Sequence, residues 1–169
     1  MKNERVFITG SAGSIGSELV RQLAKDNTVS GLDLNEAGLL ELDAEIRDHE
    51  GTFAWRVGDI RDLSTVEECF DDFRPTVVFH AAARKGVDTM ERMPQEAINT
   101  NINGTWNVVK TAKKRKVKKL VFISTDKVLG RSVMGITKLF GEVLTRNNGF
   151  LVVRLGNVKN SYGSVMQIW

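Results

Sequence analysis

The chain is poor in cysteine and proline and has no long apolar run, and each shortage excludes a class of protein. One cysteine, Cys69, in 169 residues rules out an internal disulfide framework and gives a metal no cysteine cluster. Cys69 shares the apolar side of a helical spacing with Val66 and Phe73, so it reads as a core residue. Only two prolines and no linker-like stretch predict one domain over residues 1–169, large enough to bury about 70% of its unfolded surface. No apolar stretch approaches the roughly 20 residues of a membrane span. The first strand-like run starts too early for a signal peptide, so no membrane partner and a cytoplasmic location are expected. Repeats and low-complexity segments are missing as well. With 41% hydrophobic and 27% charged residues, the composition is that of a folded soluble domain.

The net charge of +3 is concentrated in Lys113-Lys114-Arg115-Lys116-Val117-Lys118-Lys119. This run stands where a long helix should end, and cations there complement the negative end of the helix dipole. It is read as a helix terminus and not as a nucleic-acid patch, so no nucleic-acid partner is expected.

Strand-like runs recur at about 5–9, 29–33, 53–57, 76–80, 118–124 and 150–155, separated by segments of helical spacing. Such alternation predicts an α/β fold, a Rossmann-type doubly wound parallel sheet of about six strands with helices on both faces. The helices are read from apolar positions: Leu40, Ala44 and Ile46 in the second; Leu63, Val66, Phe70 and Phe73 in the third. The fourth runs from about Gln95 to Lys114 behind Pro94, and the fifth from about Val133 to Arg146, closing near Asn147-Asn148-Gly149.

In such a sheet ligands bind beyond the carboxyl ends of the strands. After the first strand comes Thr9-Gly10-Ser11-Ala12-Gly13-Ser14-Ile15-Gly16. Gly10 permits a tight turn, Gly13 lets backbone approach a pyrophosphate, and Gly16 allows close helix packing. After the second, Asp33 can accept hydrogen bonds from ribose hydroxyls. No Arg or Lys follows within Leu34-Asn35-Glu36, which favours NAD over NADP. After the third, Asp59 has two readings, a contact to the adenine amino group or a cap on the helix from Leu63. After the fourth, His80 is followed by Ala81-Ala82-Ala83, small enough for a cofactor to lie against backbone, and His80 is read as structural or cofactor-side and not as a general base. After the fifth comes Ser124-Thr125-Asp126-Lys127, with Met134-Gly135-Ile136-Thr137-Lys138 opening the next helix.

These motifs, together with Asn101-Ile102-Asn103-Gly104-Thr105 and Arg154-Leu155-Gly156-Asn157-Val158, resemble an extended short-chain dehydrogenase/reductase. Within that superfamily the chain is most similar to the polysaccharide-biosynthesis nucleotide-sugar 4,6-dehydratases that act on UDP-N-acetylglucosamine. The resemblance implies that Gly10, Ser11, Gly13, Ser14, Ile15, Gly16, Asp33, Asp59, Ile60, Ala81, Ala82, Ala83, Asn101 and Lys138 bind NAD. It makes Asp126 and Lys127 the acid/base pair for water loss, Thr125 the partner of the oxidised hydroxyl, and Lys138 a ribose and nicotinamide anchor. Lys85 and Asn157 fall to a UDP-sugar substrate, no metal is implied, and a homo-oligomer built on the fourth and fifth helices is expected. Trp106 and Phe140 on those helices are read equally well as core.

The chain departs from the pattern at several points. Met134 stands where the common pattern has a proton-transferring Tyr, which fits loss of function or a subgroup with Met at this place; Thr125-Asp126-Lys127 favours the subgroup. Arg84 and Gly86 flank Lys85 where relatives carry Tyr and His, and Val128-Leu129-Gly130-Arg131-Ser132 is one residue short and lacks a Pro. Family members continue for about a hundred residues past Gly163-Ser164-Val165, so most of the carboxyl-terminal substrate-binding part is expected to be absent. Cofactor binding should therefore outlast sugar binding, with Val165-Met166-Gln167-Ile168-Trp169 left uncovered. A nucleotide-sugar 4-epimerase and a non-catalytic NAD-binding module are the competing readings.

Overall fold

The computed structural model describes residues 1–49 and 51–158; the segment from Gly163 to Trp169 discussed above lies outside the described residues. The strands are β1 (Arg5–Thr9), β2 (Thr28–Asp33), β3 (Phe53–Val57), β4 (Val77–His80), β5 (Lys119–Thr125) and β6 (Leu151–Leu155). All five pairings are parallel, in the order β3-β2-β1-β4-β5-β6. The chain winds outward from β1 to β3, then returns to the centre at β4 and winds the other way. The crevice at the carboxyl ends of β1 and β4 is thus the switch point where such sheets take ligands.

Alternation along β1 divides the interior into two layers. Phe7 packs with Leu32, Val66, Phe70, Val78, Val108, Leu120 and Phe122 on one face of the sheet, its ring edge-on to Phe70 at 5.2 Å between centroids. Val6 and Ile8 pack with Val20, Val29, Leu39, Ile46, Phe53 and Val77 on the other. Each fully buried side chain of this kind contributes about 1.5–3 kcal/mol. Cys69 lies in the first layer, where burial pushes its thiol up to about 11.

The helices are α1 (Ser14–Leu23), α2 (Glu36–Asp48), α3 (Leu63–Phe73), α4 (Val87–Arg92), α5 (Pro94–Ala97), a π-helical segment (Ile98–Gly104), α6 (Thr105–Lys114) and α7 (Val133–Asn147). Two expectations need correction. The second helix buries Leu39, Leu42 and Ile46, leaving Leu40 exposed and Ala44 outside. Both spacings fit a helix, and docking against β3 chose the other one. The fourth helix is not a uniform α-helix, because Asn99-Thr100-Asn101 and Gly104, poor helix formers, open a π turn of the kind found at functional sites. Pro94 does stand at its start, and Gly149 closes the region after α7 with φ +83°. The basic run ends α6: Lys113 Nζ donates to the Asn148 carbonyl, while Lys114 and Arg115 pair with Glu67 and Asp71 of α3. Among the described residues no helix is long and apolar enough to cross a membrane, and no group of three or more His, Cys, Asp or Glu could hold a metal ion.

Trp106 and Phe140 are not core. They are 41% and 53% exposed, and Ile98, Ile136, Leu139 and Val143 are exposed as well. The α7 members recur at i, i+3, i+4 and i+7, one stripe of the helix.

Candidate functional site

The floor of the crevice is the glycine turn. Gly10 has φ +71°, and a Cβ there would lie 2.6 Å from the Ala82 amide nitrogen, because the chain leaving β4 crosses directly over the turn. A Cβ on Gly16 would collide with the Gly10 carbonyl, so α1 sits as close to the turn as a helix can. Gly13 precedes α1 in extended conformation, and no acidic residue occupies the first helical turn. The N–H groups that begin a helix have no intrahelical partners and carry its positive dipole end, so this entrance suits a phosphate. Ser14 and Ile15 belong to that first turn. Ser11 is wholly buried, with its hydroxyl against Gly31 and without a hydrogen-bond partner among the described residues.

Asp33 ends β2. Its Oδ2 accepts from the Ala12 N–H and its Oδ1 from the Asn35 N–H, both at 2.9 Å. The carboxylate thereby ties the glycine turn to the second strand, and each oxygen keeps a lone pair for a further donor. Ala81, Ala82 and Ala83 are half-buried along the opposite wall. Glycines that a Cβ would jam, an open helix start and an acceptor at the ribose position together fit a dinucleotide.

His80 lies beneath this crevice with no exposed surface. Its Nδ1 is 2.6 Å from Thr9 Oγ1 and its Nε2 2.9 Å from Thr105 Oγ1. Burial, with a smaller push from Lys138, lowers its pKa to about 3, so the imidazole is neutral and braces β1, β4 and α6, as a structural residue should.

Asp59 is not the cap of α3. Asp62 is, accepting from Ser64 N at 2.9 Å. Asp59 instead faces Arg61, which gives its backbone N–H to Oδ1 at 2.8 Å and Nε to Oδ2 at 2.6 Å. Burial alone would raise the Asp59 pKa, and these Arg61 bonds outweigh it and lower it. Ile60 has its side chain in the core. Asn101 is also buried: its amide accepts from Arg84 N at 2.8 Å and donates to the Arg84 carbonyl and to Thr137 Oγ1. It therefore holds the loop beside the crevice and does not present an unengaged amide to it. Lys85 lines a neighbouring cleft of about 410 Å³ with Arg84, Met90, Met93 and Glu96.

On the other side of the crevice, β5 delivers Thr125 to a short 3-10 turn, Asp126–Leu129. Thr125 Oγ1 is 3.2 Å from Asp126 Oδ1, Lys127 Nζ is 3.9 Å from the same oxygen, and Lys127 Nζ donates to Asn157 Oδ1 at 3.1 Å. Residues far apart in sequence are thus joined into one exposed polar group, a carboxylate beside an ammonium, which is an arrangement for moving protons. A Cβ on Gly135 would strike the Lys127 carbonyl, so α7 begins hard against this turn. Met134 is buried with Met90 and Ala97, and a thioether carries no proton. Lys138, one turn on, donates to the Ile123 carbonyl at 2.6 Å with its ammonium 4.0 Å from the centre of the Phe122 ring. Burial lowers its pKa to about 7, against a smaller opposing pull from Glu142.

Glu142 was not anticipated. Fully buried, it accepts from Ser124 Oγ at 2.7 Å and from Arg154 and Arg146 at 2.8 Å. Burial would raise its pKa; the bonds from Arg154 and Ser124 win and hold it well below the usual carboxylate range. Only the one-turn spacing of Glu142 and Arg146 on α7 pointed to it.

Comparison with known proteins places this geometry among relatives. The family model described as polysaccharide biosynthesis protein matches residues 6–169. The chain is 40% identical to a protein of Methanocaldococcus jannaschii named as an uncharacterized membrane protein, over 99% of this chain and 53% of the relative. It is 37% identical to the capsular polysaccharide biosynthesis protein CapD of Staphylococcus aureus, over 100% and 30%, and 33% identical to a UDP-glucose 4-epimerase of Rickettsia bellii, over 99% and 52%. Among solved structures, Pen from Bacillus thuringiensis superposes with a TM-score of 0.91 at 35% identity, over 99% of this chain and 54% of that one. The Bordetella bronchiseptica enzyme WbmH, solved in complex with NAD+, gives 0.80 at 29% identity, over 95% and 58%. The chain therefore spans about half the length of most of these relatives, and less of CapD.

Proposed function

The chain belongs to the polysaccharide biosynthesis protein family, and from that membership we propose that it carries the cofactor site and the proton-transfer residues of an NAD-dependent nucleotide-sugar 4,6-dehydratase. The substrate class is a UDP-N-acetylglucosamine-like sugar. The observation that carries the reading is the convergence of Thr125, Asp126, Lys127 and Asn157 at the carboxyl ends of β5 and β6, beside the crevice.

Bound NAD would supply a reversible hydride acceptor for the hexose carbon 4. The first helical turn of α1 would hold its pyrophosphate, Asp33 its adenosine ribose and Lys138 its nicotinamide ribose. Asp33 leaves no room for a second phosphate charge, hence NAD and not NADP. With carbon 4 oxidised, the proton on carbon 5 becomes acidic; the Asp126 and Lys127 pair would remove it and deliver a proton to the hydroxyl leaving carbon 6, and return of the hydride to carbon 6 with a proton to carbon 5 would restore the cofactor, so that the net change is loss of one water. Thr125 engages the carbon 4 oxygen, while Lys85 and Asn157 contact the UDP-sugar. Incubation with NAD and UDP-N-acetylglucosamine should yield a product lighter by one water in mass spectrometry. An epimerised product of unchanged mass would favour the second reading, a nucleotide-sugar 4-epimerase, which the Rickettsia bellii relative's name supports. NAD binding without any turnover would favour the third, a non-catalytic module.

The apolar stripe of Ile136, Leu139, Phe140 and Val143 with Trp106 supports a homo-oligomer in which two copies bury this face against each other. Among the described residues no helix is long and apolar enough to cross a membrane; a cytoplasmic site of action is part of this proposal.

A further inference from the structure

The helical rod from Pro94 to Lys114 holds, by three polar side chains, the two loops that follow β3 and β4. Asn107 Nδ2 donates to the carbonyls of Ile60 and Arg61 at 3.0 and 2.9 Å. Asn101 clasps the backbone of Arg84 from both sides. Glu96 lies 3.2 Å from Arg61 Nη1 and 3.7 Å from Arg84 Nη2. Arg61 in turn grips Asp59 through its backbone N–H and its guanidinium. Taken singly, partly exposed ion pairs of this kind add little to stability. Linked in a chain from Asp59 through Arg61 and Glu96 to Arg84, and anchored by two buried amides, they fix a direction.

That direction has a chemical use. An ionised carboxylate is an acceptor only, with about two acceptor sites on each oxygen. Arg61 sets its backbone N–H on Oδ1 and its Nε and Nη2 each 2.6 Å from Oδ2, so what remains is a fixed acceptor face, open chiefly at Oδ1, with no donor. Such a group welcomes an exocyclic amino group and repels a carbonyl oxygen. A carboxylate that could turn about its own bonds would discriminate poorly, since it would retreat from the wrong partner.

We propose that Arg61 is a positioning residue for base selection: braced by Glu96, it orients the Asp59 carboxylate so that the crevice takes a dinucleotide with a 6-aminopurine and rejects one with a 6-oxopurine. This rests on the dinucleotide reading of the crevice with Asp59 at its base end. Arg61 touches Asp59 and not the base, so its effect is on the choice between two ligands that are otherwise the same.

Isothermal titration of the chain with NAD and with nicotinamide hypoxanthine dinucleotide, which differ only at purine position 6, tests this. The unsubstituted chain should bind NAD more tightly by about tenfold or more, as for a hydrogen bond to a charged group. Arg61→Ala should bring the ratio of the two affinities close to one, and Arg61→Lys, a point charge without the planar fork, should restore only part of it. A merely structural role would weaken both ligands alike and leave the ratio in place. Asp59→Asn, whose amide can donate, should shift the ratio toward the hypoxanthine dinucleotide. If the unsubstituted chain binds neither ligand, the dinucleotide reading fails and this inference with it. If Asp59→Asn leaves the ratio unchanged, Asp59 does not face the base and the inference is overturned. If Asp59→Asn moves the ratio and Arg61→Ala does not, the cofactor reading stands and the role of Arg61 alone is refuted.

Discussion

Acidification should unfold this protein through His80, and the size of the effect follows from its burial. The imidazole is enclosed between Thr9 and Thr105 with no exposed surface, and its pKa falls from an ordinary 6.5 to about 3. In the unfolded chain His80 takes a proton below pH 6.5, whereas the folded protein refuses it until about pH 3. The unfolded state thus binds the extra proton across that window. Stability is full above pH 6.5 and declines as pH falls, by about 1.4 kcal/mol for each pH unit. The whole window is worth about 5 kcal/mol, comparable with the total stability of a small domain at the lower end of the usual range. His80→Gln removes the titration while keeping a neutral group able to donate and accept. Urea unfolding followed from pH 7 to pH 4 should show the parent losing stability faster than the variant, the two curves converging as pH falls even if Gln is the less stable at pH 7. Parallel curves would refute the reasoning. Because the folded imidazole stays neutral across this window, its support of the Thr9 hydroxyl, which lies 3.4 Å from the Ala82 amide, is unchanged, and cofactor affinity should fall only as the folded state is lost.

Asp33→Ala should shrink the preference for NAD over NADP in calorimetry, and equal affinities in the unsubstituted chain would reject the assignment. Glu142→Ala strands two arginines and should cost about 3–5 kcal/mol, read from the urea midpoint; a loss below 1 kcal/mol would mean the cluster is already hydrated. Asp126→Asn should still reduce NAD with substrate yet release little water. Phe140→Asp should convert a sedimenting dimer to monomer at micromolar concentration, and a parent that is already monomeric would reject the interface.

Sequence periodicity located each described strand to within one residue because each is an apolar run between polar turns, a pattern plainest in the inner strands β1, β2, β4 and β5, which helices cover on both faces. The glycine turn was legible for the same local reason: a positive φ at Gly10 and a backbone crossing at Ala82 can be met only by residues without bulk. What was not legible is set by tertiary contact. The face of α2 was misjudged because Leu39 and Leu40 both fit a helical stripe, and only docking against β3 decides between them. The π turn was hidden because the partners of the Asn101 side chain, Arg84 and Thr137, lie 17 and 36 positions away. Arg61, Glu96 and Glu142 look like solvated charges in sequence; beside the near partners Asp59 and Arg146, the pairs that place them, Arg61 with Glu96 and Glu142 with Arg154, span 35 and 12 positions.

The Glu142 cluster also sets an order of assembly. Ser124 and Arg154 are direct partners in the β5–β6 ladder, and both bond to Glu142. β6 leaves Leu151 and Val153 exposed, so its apolar pattern does little to choose between registers two residues apart. The choice falls to a carboxylate on α7, which precedes β6 in the chain. The last described strand can therefore be matched correctly only once α7 is seated, and it should be the first to come away. In native-state hydrogen exchange its amides should open at lower free energy than those of β1, and in Glu142→Gln the gap should widen. Equal protection of the two strands would show that the sheet closes in a single step.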